Sequence, residues 1–247
     1  MSYNPLCLRK VANWSYVSAK HKFDKKTFDV EQMKEDIPKN SSKMNELLKN
    51  IKELDAADLK KHGKQFKHFI FSDVKQNGAK LIAGALIADG YNLAYDKNLK
   101  LKSDNELLKT KGDNFFLLCS TAIYNKTINV KTKKAILDKF NQRPENPNGD
   151  LVRIIILDVG FKEGVDIFDI KYVHIFEPQT SKADMKQAVG RATRLCGQKG
   201  LEFDPKQGWP LTVFLYDVTI PDTIGETKRK IGEATALRHR LKKEVSR

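Results

Sequence analysis

The chain has 247 residues, 40% of them hydrophobic, and its 45 basic against 31 acidic side chains give a net charge of +14. This hydrophobic content suffices to bury one sizeable core, or two small ones, without disulfides or metals. No run approaches the roughly 18 apolar residues that cross a bilayer, which excludes a membrane-spanning role. The first ten residues do not resemble a secretory signal, so we expect a soluble chain of the cytoplasm.

The charge and the cysteines limit the partners and the compartment. An excess of basic residues predicts a polyanionic partner such as nucleic acid, although lysine-rich surfaces also serve solubility alone. The three cysteines, Cys7, Cys119 and Cys196, lack paired spacing and a nearby histidine cluster. This argues against a disulfide framework or a metal site and favours a reducing compartment.

Residues 1–66 are mostly polar and predict helices. One helical face is formed by apolar residues at i, i+3, i+4 and i+7, with Ser42 as a plausible N-cap; these residues are Met44, Leu47, Leu48 and Ile51. Pro38 and Gly63 are expected to bracket this unit.

The remainder alternates apolar runs with helical stretches. The predicted strands are 69–71, 115–119, 152–157, 172–176 and 211–216, and the predicted helices are 78–90, 131–141 and 182–195. Continuous apolar runs are typical of parallel strands that are covered on both faces. The pattern therefore predicts an α/β domain with a mainly parallel sheet and helices on both faces. We divide the chain into a polar extension (1–40), this domain (41–217) and a basic C-terminal helix (218–247).

The stretch Gln187-Ala-Val-Gly-Arg-Ala-Thr-Arg194 carries the clearest chemical pattern. On a helix, Gln187, Arg191 and Arg194 share one face, while Ala188 and Val189 turn toward the sheet. Two neighbouring guanidinium groups favour a bound anion, such as a phosphate, between or beside them. A surface helix whose arginines pair with acids such as Asp184 would have the same spacing.

A second stretch, Leu157 to Ile167, follows the strongest predicted strand. Ligand sites in open α/β sheets collect at the carboxyl ends of strands. A loop with Gly160, Gly164 and Asp166 could present backbone N–H groups and a carboxylate to a nucleotide. Strand-to-helix turns also use glycine for conformational reasons alone.

Together, these stretches resemble the C-terminal motor domain of superfamily 2 helicases and translocases, whose fold is RecA-like. Phe69-Ile-Phe-Ser-Asp73 looks like motif IV, Gly160-Phe-Lys-Glu-Gly-Val-Asp166 like motif V, and the stretch 187–194 like motif VI. The flanking runs 173–178 and 196–199 are most similar to helicase-like nucleoside triphosphatases of nucleocytoplasmic large DNA viruses, some of which act in viral transcription. A viral relative of this kind would work in the host-cell cytoplasm or the virion.

The resemblance implies roles for individual residues. Arg194 matches an arginine finger that reaches the γ-phosphate of ATP on the other motor lobe, and Arg191 matches the arginine beside it. Gln187 matches a residue near that phosphate and the attacking water.

Four further positions match the family, two of them on the cofactor-binding side and two on the nucleic-acid side. Gly164 and Asp166 match the loop that links nucleotide state to nucleic-acid grip. Ser72 and Lys162 would contact phosphates of the tracked strand.

A complete motor also needs a Walker loop and an Asp-Glu pair to hold ATP and Mg²⁺. The sequence has no glycine pair with the Walker spacing and no Asp-Glu dipeptide. We therefore expect a partner lobe to bind ATP and Mg²⁺, and the isolated chain to be inactive. Two alternatives remain: a nucleic-acid-binding module without an ATPase role, or a structural virion protein that has inherited the fold.

Three other residues are expected to be structural. Trp14 and Trp209 are predicted to anchor the core or a domain boundary rather than stack on bases. His174, inside a strand, is predicted to be a core histidine with satisfied hydrogen bonds.

Overall fold

The computed structural model describes residues 5–161, 164–179, 181–190, 197–206, 208–209 and 211–218. Its helices are α1 (Pro5–Asn13), α2 (Val30–Asn40), α3 (Ser42–His62), α4 (Leu81–Ala88), α5 (Asp104–Leu108), α6 (Val130–Phe140) and α7 (Lys182–Val189). Its strands are β1 (Lys67–Ser72), β2 (Asn92–Leu93), β3 (Asn114–Leu118), β4 (Ile154–Asp158), β5 (Ile170–Ile175) and β6 (Thr212–Leu215). Residues up to Asp217 form one compact unit. The predicted C-terminal helix lies outside the described residues, apart from Val218.

The six strands form one sheet in the order β2-β3-β4-β1-β5-β6, and every described pairing is parallel. The predicted α/β class is therefore confirmed. The central strands β1 and β4 are buried along their whole length, including their apolar runs 69–71 and 154–157. Each of the five predicted strands is present, and the additional strand β2 has only two residues.

Two predicted helix boundaries are wrong. Ser41, not Ser42, is the N-cap of α3, because its side chain accepts a hydrogen bond from the backbone N–H of Met44. Pro38 lies inside α2 rather than marking a boundary. Gly63 ends α3 in the left-handed conformation, as the sequence predicts.

Helix α4 is apolar on all sides because it is covered by the N-terminal residues as well as by the sheet. A π-helical turn, Lys75–Lys80, leads directly into α4. Helix α2 packs on α4, and at Gly84 an added Cβ would lie 3.3 Å from the carbonyl oxygen of His21. Trp14 and Met33 are almost fully buried in the same core, which confirms the prediction for Trp14.

Helix α3 meets the sheet through buried polar contacts. Both guanidinium hydrogen bonds of Arg153 Nη1 go to the Asp55 carboxylate, at 2.6 and 2.7 Å. Asp58 Oδ2 accepts a hydrogen bond from the Tyr172 hydroxyl at 2.8 Å. Since charged groups remain buried only when they are paired, these contacts fix the position of α3 on the sheet.

A chain of hydrogen bonds runs through the two strand histidines. His68 and His174 contact each other at 2.9 Å, and His174 Nδ1 lies 2.9 Å from the Tyr216 hydroxyl. The other nitrogen of His68 lies 3.3 Å from Asp55 Oδ1, and Asn50 donates to Tyr216 at 3.0 Å. His174 is thus a buried, hydrogen-bonded core histidine, as predicted.

Candidate functional site

Three adjacent strands end at the same edge of the sheet and bring the predicted motifs together. Strand β1 lies between β4 and β5, and Ser72 at its end pairs in register with Asp158 at the end of β4. Parallel strands place their carboxyl ends on one edge, where α/β proteins bind ligands. Motif IV covers the end of β1, motif V follows β4, and the segment leading to motif VI follows β5. We call this the carboxyl edge.

Ser72 of motif IV is buried and uses its hydroxyl internally. The hydroxyl donates to Glu177 Oε1 at 2.7 Å and accepts from the backbone N–H of Val74 at 3.2 Å. The backbone N–H of Asp73 donates to Glu177 Oε2 at 2.8 Å. A Cβ on Gly78 would lie 2.1 Å from the Ser72 Oγ, so this close approach requires glycine. The contact of Ser72 with a nucleic-acid phosphate remains a prediction.

Glu177 is the centre of a buried polar cluster that sequence reasoning missed. The Asn13 amide donates to Glu177 Oε1 at 2.7 Å, and the side-chain oxygen of Asn13 accepts from Lys43 Nζ at 2.6 Å. Burial raises the pKa of Glu177, and its hydrogen bonds from Ser72 and Asn13 act in the opposite direction. Burial lowers the pKa of Lys43, and Glu177 opposes that effect. The sequence signal that could have indicated this cluster is the carboxylate of Glu177 directly after an apolar strand.

The motif V segment is supported by Asp158 at the end of β4. Asp158 Oδ2 accepts from the backbone N–H and the hydroxyl of Ser120, both at 2.8 Å, and Oδ1 accepts from the N–H of Gly160 at 2.9 Å. These bonds join the ends of β3 and β4. Burial, with the neighbouring Asp158 carboxylate, raises the pKa of the Cys119 thiol to about 11. Cys119 is therefore a protonated core residue at neutral pH.

The predicted loop residues of motif V lie at the surface. Gly164 is exposed and has a φ of 63°, a conformation that glycine adopts without strain. Asp166 is also exposed, and its carbonyl oxygen accepts from the Asn141 side chain at 2.9 Å. Lys162 lies outside the described residues.

Helix α7 carries the described part of motif VI. The Ser181 hydroxyl caps the helix by accepting from the N–H of Asp184 at 3.1 Å. Gln187 is half-buried, whereas Ala188 is buried and Val189 packs against the core. The predicted orientation of Ala188 and Val189 is thus confirmed.

The two predicted arginines of motif VI, Arg191 and Arg194, lie outside the described residues. Among the residues that the structure describes, no group of histidine, cysteine and carboxylate side chains is arranged to hold a metal ion. Within the same ranges, no helix combines the length and the apolar character that a membrane crossing requires.

Comparison with known proteins gives the family. The profile of the helicase conserved C-terminal domain matches residues 43–196, which is more than half of the chain. The chain belongs to this helicase family. The predicted resemblance and the RecA-like α/β fold of this helicase domain are confirmed.

Several curated relatives of the helicase domain are viral or plasmid proteins. Two proteins of Acanthamoeba polyphaga mimivirus, provisionally named ATP-dependent RNA helicases, are 32% identical over 36% of this chain and 28% identical over 41%. The killer plasmid pGKL-2 helicase of Kluyveromyces lactis is 25% identical over 67%. The chain spans 15%, 12% and 23% of the lengths of these relatives.

Two solved structures are similar to this chain over part of their lengths. The C-terminal part of the Fun30 ATPase domain is 18% identical, with a TM-score of 0.44 over 71% of this chain and 40% of that one. The Hef helicase domain of Pyrococcus furiosus is 17% identical, with a TM-score of 0.41 over 77% of this chain and 28% of that one.

Proposed function

We propose that the helicase domain is the second motor lobe of an ATP-dependent nucleic-acid helicase or translocase. The observation that carries this proposal is the carboxyl edge, where motif IV covers the end of β1, motif V follows β4 and the segment leading to motif VI follows β5. A surface that combines these motifs suits a second lobe closing over a nucleotide. In a viral setting, such a motor would serve transcription in the host cytoplasm or the virion.

The catalytic contribution of this chain is electrostatic. Arg194 would reach the γ-phosphate of ATP held on a Walker-bearing lobe, and Arg191 would lie beside it. Both would neutralise charge that develops during phosphoryl transfer, an effect worth about 10³ to 10⁵ in rate in related hydrolases. Gln187, on the same predicted helix face, would orient the attacking water. ATP and Mg²⁺ would be held mainly by the partner lobe, since this sequence has no Walker loop.

The nucleic-acid grip would use backbone phosphates. Gly164 and Asp166 lie in the exposed loop that would couple nucleotide state to this grip. Lys162 would contact a phosphate as a charge, and the motif IV turn at Ser72 would contribute a hydroxyl or backbone contact. The net charge of +14 supports a polyanionic partner.

The test is the rate of ATP hydrolysis by a purified Walker-bearing lobe from the same genome, with and without this chain. We expect the chain to stimulate hydrolysis and Arg194→Ala to abolish the stimulation. Arg194→Lys should be almost as damaging, because lysine lacks the planar guanidinium fork. Lys131→Ala, at an exposed position on α6, is the matched control. Nucleic-acid binding without stimulation would support the binding-module alternative, and the absence of both would support a structural protein.

A further inference from the structure

A second surface feature lies at the opposite edge of the sheet, where the strands begin. A cavity of about 410 Å³ opens there, beside Phe66, which precedes β1, and Lys171, at the start of β5. We call this cavity the amino-edge pocket. Because the strands are parallel, it lies at the other end of β1 and β5 from Ser72 and Glu177. None of the helicase motifs accounts for it.

Two exposed aromatic side chains mark one side of the amino-edge pocket. Phe203 lines the pocket and is 58% exposed, and Trp209 beside it is 39% exposed. Their rings meet edge to face with centroids 4.9 Å apart, and Trp209 Nε1 donates to the carbonyl oxygen of Leu201 at 3.1 Å. Two adjacent exposed rings offer a flat apolar surface on which a ligand can pack. Trp209 therefore lies at the surface with an accessible ring, and the predicted core placement is wrong for this residue.

This aromatic pair is held by backbone contacts. Asp204 and Gly208 exchange two backbone hydrogen bonds, at 2.7 and 3.2 Å. The preceding turn is tied to the domain because the Gly200 N–H donates to Asp169 at 2.8 Å, and Arg143 makes two hydrogen bonds with the same carboxylate. These contacts hold the backbone of the segment that carries both rings, which lowers the entropic cost of binding.

The end of α3 contributes basic side chains to the pocket. Lys61 and His62, in the last turn of α3, line the pocket and are exposed. Lys171 Nζ lies 4.0 Å from the centre of the buried Phe66 ring, and its charge is paired with Asp58. Two acids also line the pocket: Asp204, and Glu202, which is paired with Lys64 at 2.8 Å. The exposed lysine Lys61 and the accessible ring of Phe203, which line the same pocket, match the phosphate and the base of a nucleotide, respectively.

We propose that the amino-edge pocket binds single-stranded nucleic acid, with a base stacked on Phe203 and a phosphate held by Lys61. A strand bound here would be a second contact, separate from the grip at the carboxyl edge. The proposal rests on the nucleic-acid binding in the proposed function and does not depend on the roles of Arg191 and Arg194 in ATP hydrolysis. Phe203 supplies a stacking surface that accepts any base, so we expect little sequence preference.

The fluorescence of Trp209 provides a direct test with the full chain. Oligothymidylate and oligouridylate of about ten nucleotides, a length within the usual site sizes, are titrated while tryptophan emission is recorded. We expect saturable quenching that Trp209→Phe removes and Trp14→Phe retains, because Trp14 is buried. If Trp14→Phe does not fold, the difference between the wild type and Trp209→Phe gives the same signal.

Substitutions then assign the contacts. Phe203→Ala should weaken binding about tenfold or more, whereas Tyr16→Ala, at another exposed aromatic residue, should not. Lys61→Ala should lower the slope of log affinity against log salt by about one.

Three outcomes would overturn the proposal. In the first, oligonucleotides bind, as anisotropy shows, but Trp209 emission does not change and Phe203→Ala binds as tightly as the wild type. This result would remove the amino-edge pocket as the site and would be compatible with the proposed grip at the carboxyl edge. The second is no nucleic-acid binding by either method, in which case the Arg194→Ala hydrolysis assay still tests the motor role. The third is a tighter, saturable response to an acidic peptide, which would assign the pocket to a protein partner.

Discussion

Asn13 bridges the buried acid Glu177 and the buried base Lys43. Its amide nitrogen lies 2.7 Å from Glu177 Oε1, and its oxygen lies 2.6 Å from Lys43 Nζ. Helix α1 is joined to the motif IV turn a second time by the Arg9–Asp73 ion pair at 3.0 Å. The N-terminal helix therefore positions the end of β1, although it lies outside the matched family region.

Replacing Asn13 should destabilise the domain. In Asn13→Ala, both Glu177 and Lys43 lose a buried hydrogen-bond partner, which costs about 1 to 3 kcal/mol of unfolding free energy. Urea denaturation measures this loss. Asn105→Ala, at an exposed asparagine on α5, is the control and should change little. A loss in Asn13→Ala no larger than the control would show that the bridge contributes nothing to stability.

Gly78 should be coupled to Ser72. A Cβ at Gly78 would lie 2.1 Å from the Ser72 Oγ, so Gly78→Ala must displace this hydroxyl from Glu177. We expect a loss of about 1 to 3 kcal/mol, in the range of other overpacked sites. Ser72→Ala removes the clashing oxygen, so the double variant should lose less stability than the sum of the two single variants. Strict additivity in urea denaturation would refute the coupling.

The two strand histidines should make the domain less stable in acid. Burial lowers the pKa of His68 and of His174 well below 6.5, so below that pH the unfolded chain binds protons that the native state does not. Stability should therefore fall as the pH falls through this range, by up to about 1.4 kcal/mol per pH unit for each proton. The pKa of Asp55, raised by burial to about 6, has the opposite effect. The nearby charges of Arg153, Asp58 and Lys171 also act on His68.

Comparison of variants isolates the histidine contribution. His174→Gln keeps a donor and an acceptor but does not titrate, so its stability should depend less on pH between 7.5 and 5 than that of the wild type. The Asp55 contribution is present in both proteins and cancels. His62→Gln, at an exposed histidine, should keep the wild-type slope. Equal slopes for His174→Gln and the wild type would contradict the assignment.

The fold was largely predictable because its signals are local. Continuous apolar runs such as Ile154–Leu157 predict buried parallel strands from composition alone. Strand β2 gives no such signal, because a two-residue strand has no periodicity. The N-cap of α3 was misplaced by one residue because Ser41 and Ser42 are equally suitable caps, and only the hydrogen bond to Met44 distinguishes them.

The site was predictable in its motifs but not in its supporting contacts. Ser72 and Gly164 follow from short stretches that resemble a known family. The cluster around Glu177 joins residues 164 positions apart, and neither Asn13 nor Lys43 stands in a pattern that indicates a partner. The aromatic pair of the amino-edge pocket was missed for the same reason: exposure of Phe203 and Trp209 depends on tertiary packing, which composition does not show.

Because of Lys67, the free energy of unfolding of the domain should increase as the pH rises above 7. The ammonium group of Lys67 is fully buried, donates to the carbonyl oxygens of Phe140 and Phe168 at 2.6 and 3.2 Å, and has a pKa lowered by burial to about 7. Between pH 7 and about 10 the unfolded chain therefore holds a proton that the native state has lost, since an exposed lysine titrates near 10.4. Unfolding free energy should increase over this range by up to about 1.4 kcal/mol per pH unit. Lys67→Met should remove this slope in urea denaturation, and Lys131→Met, at an exposed position, should retain it. A slope that survives in Lys67→Met would show that Lys67 stays charged, held by its two carbonyl partners and by the Phe140 ring 4.4 Å away.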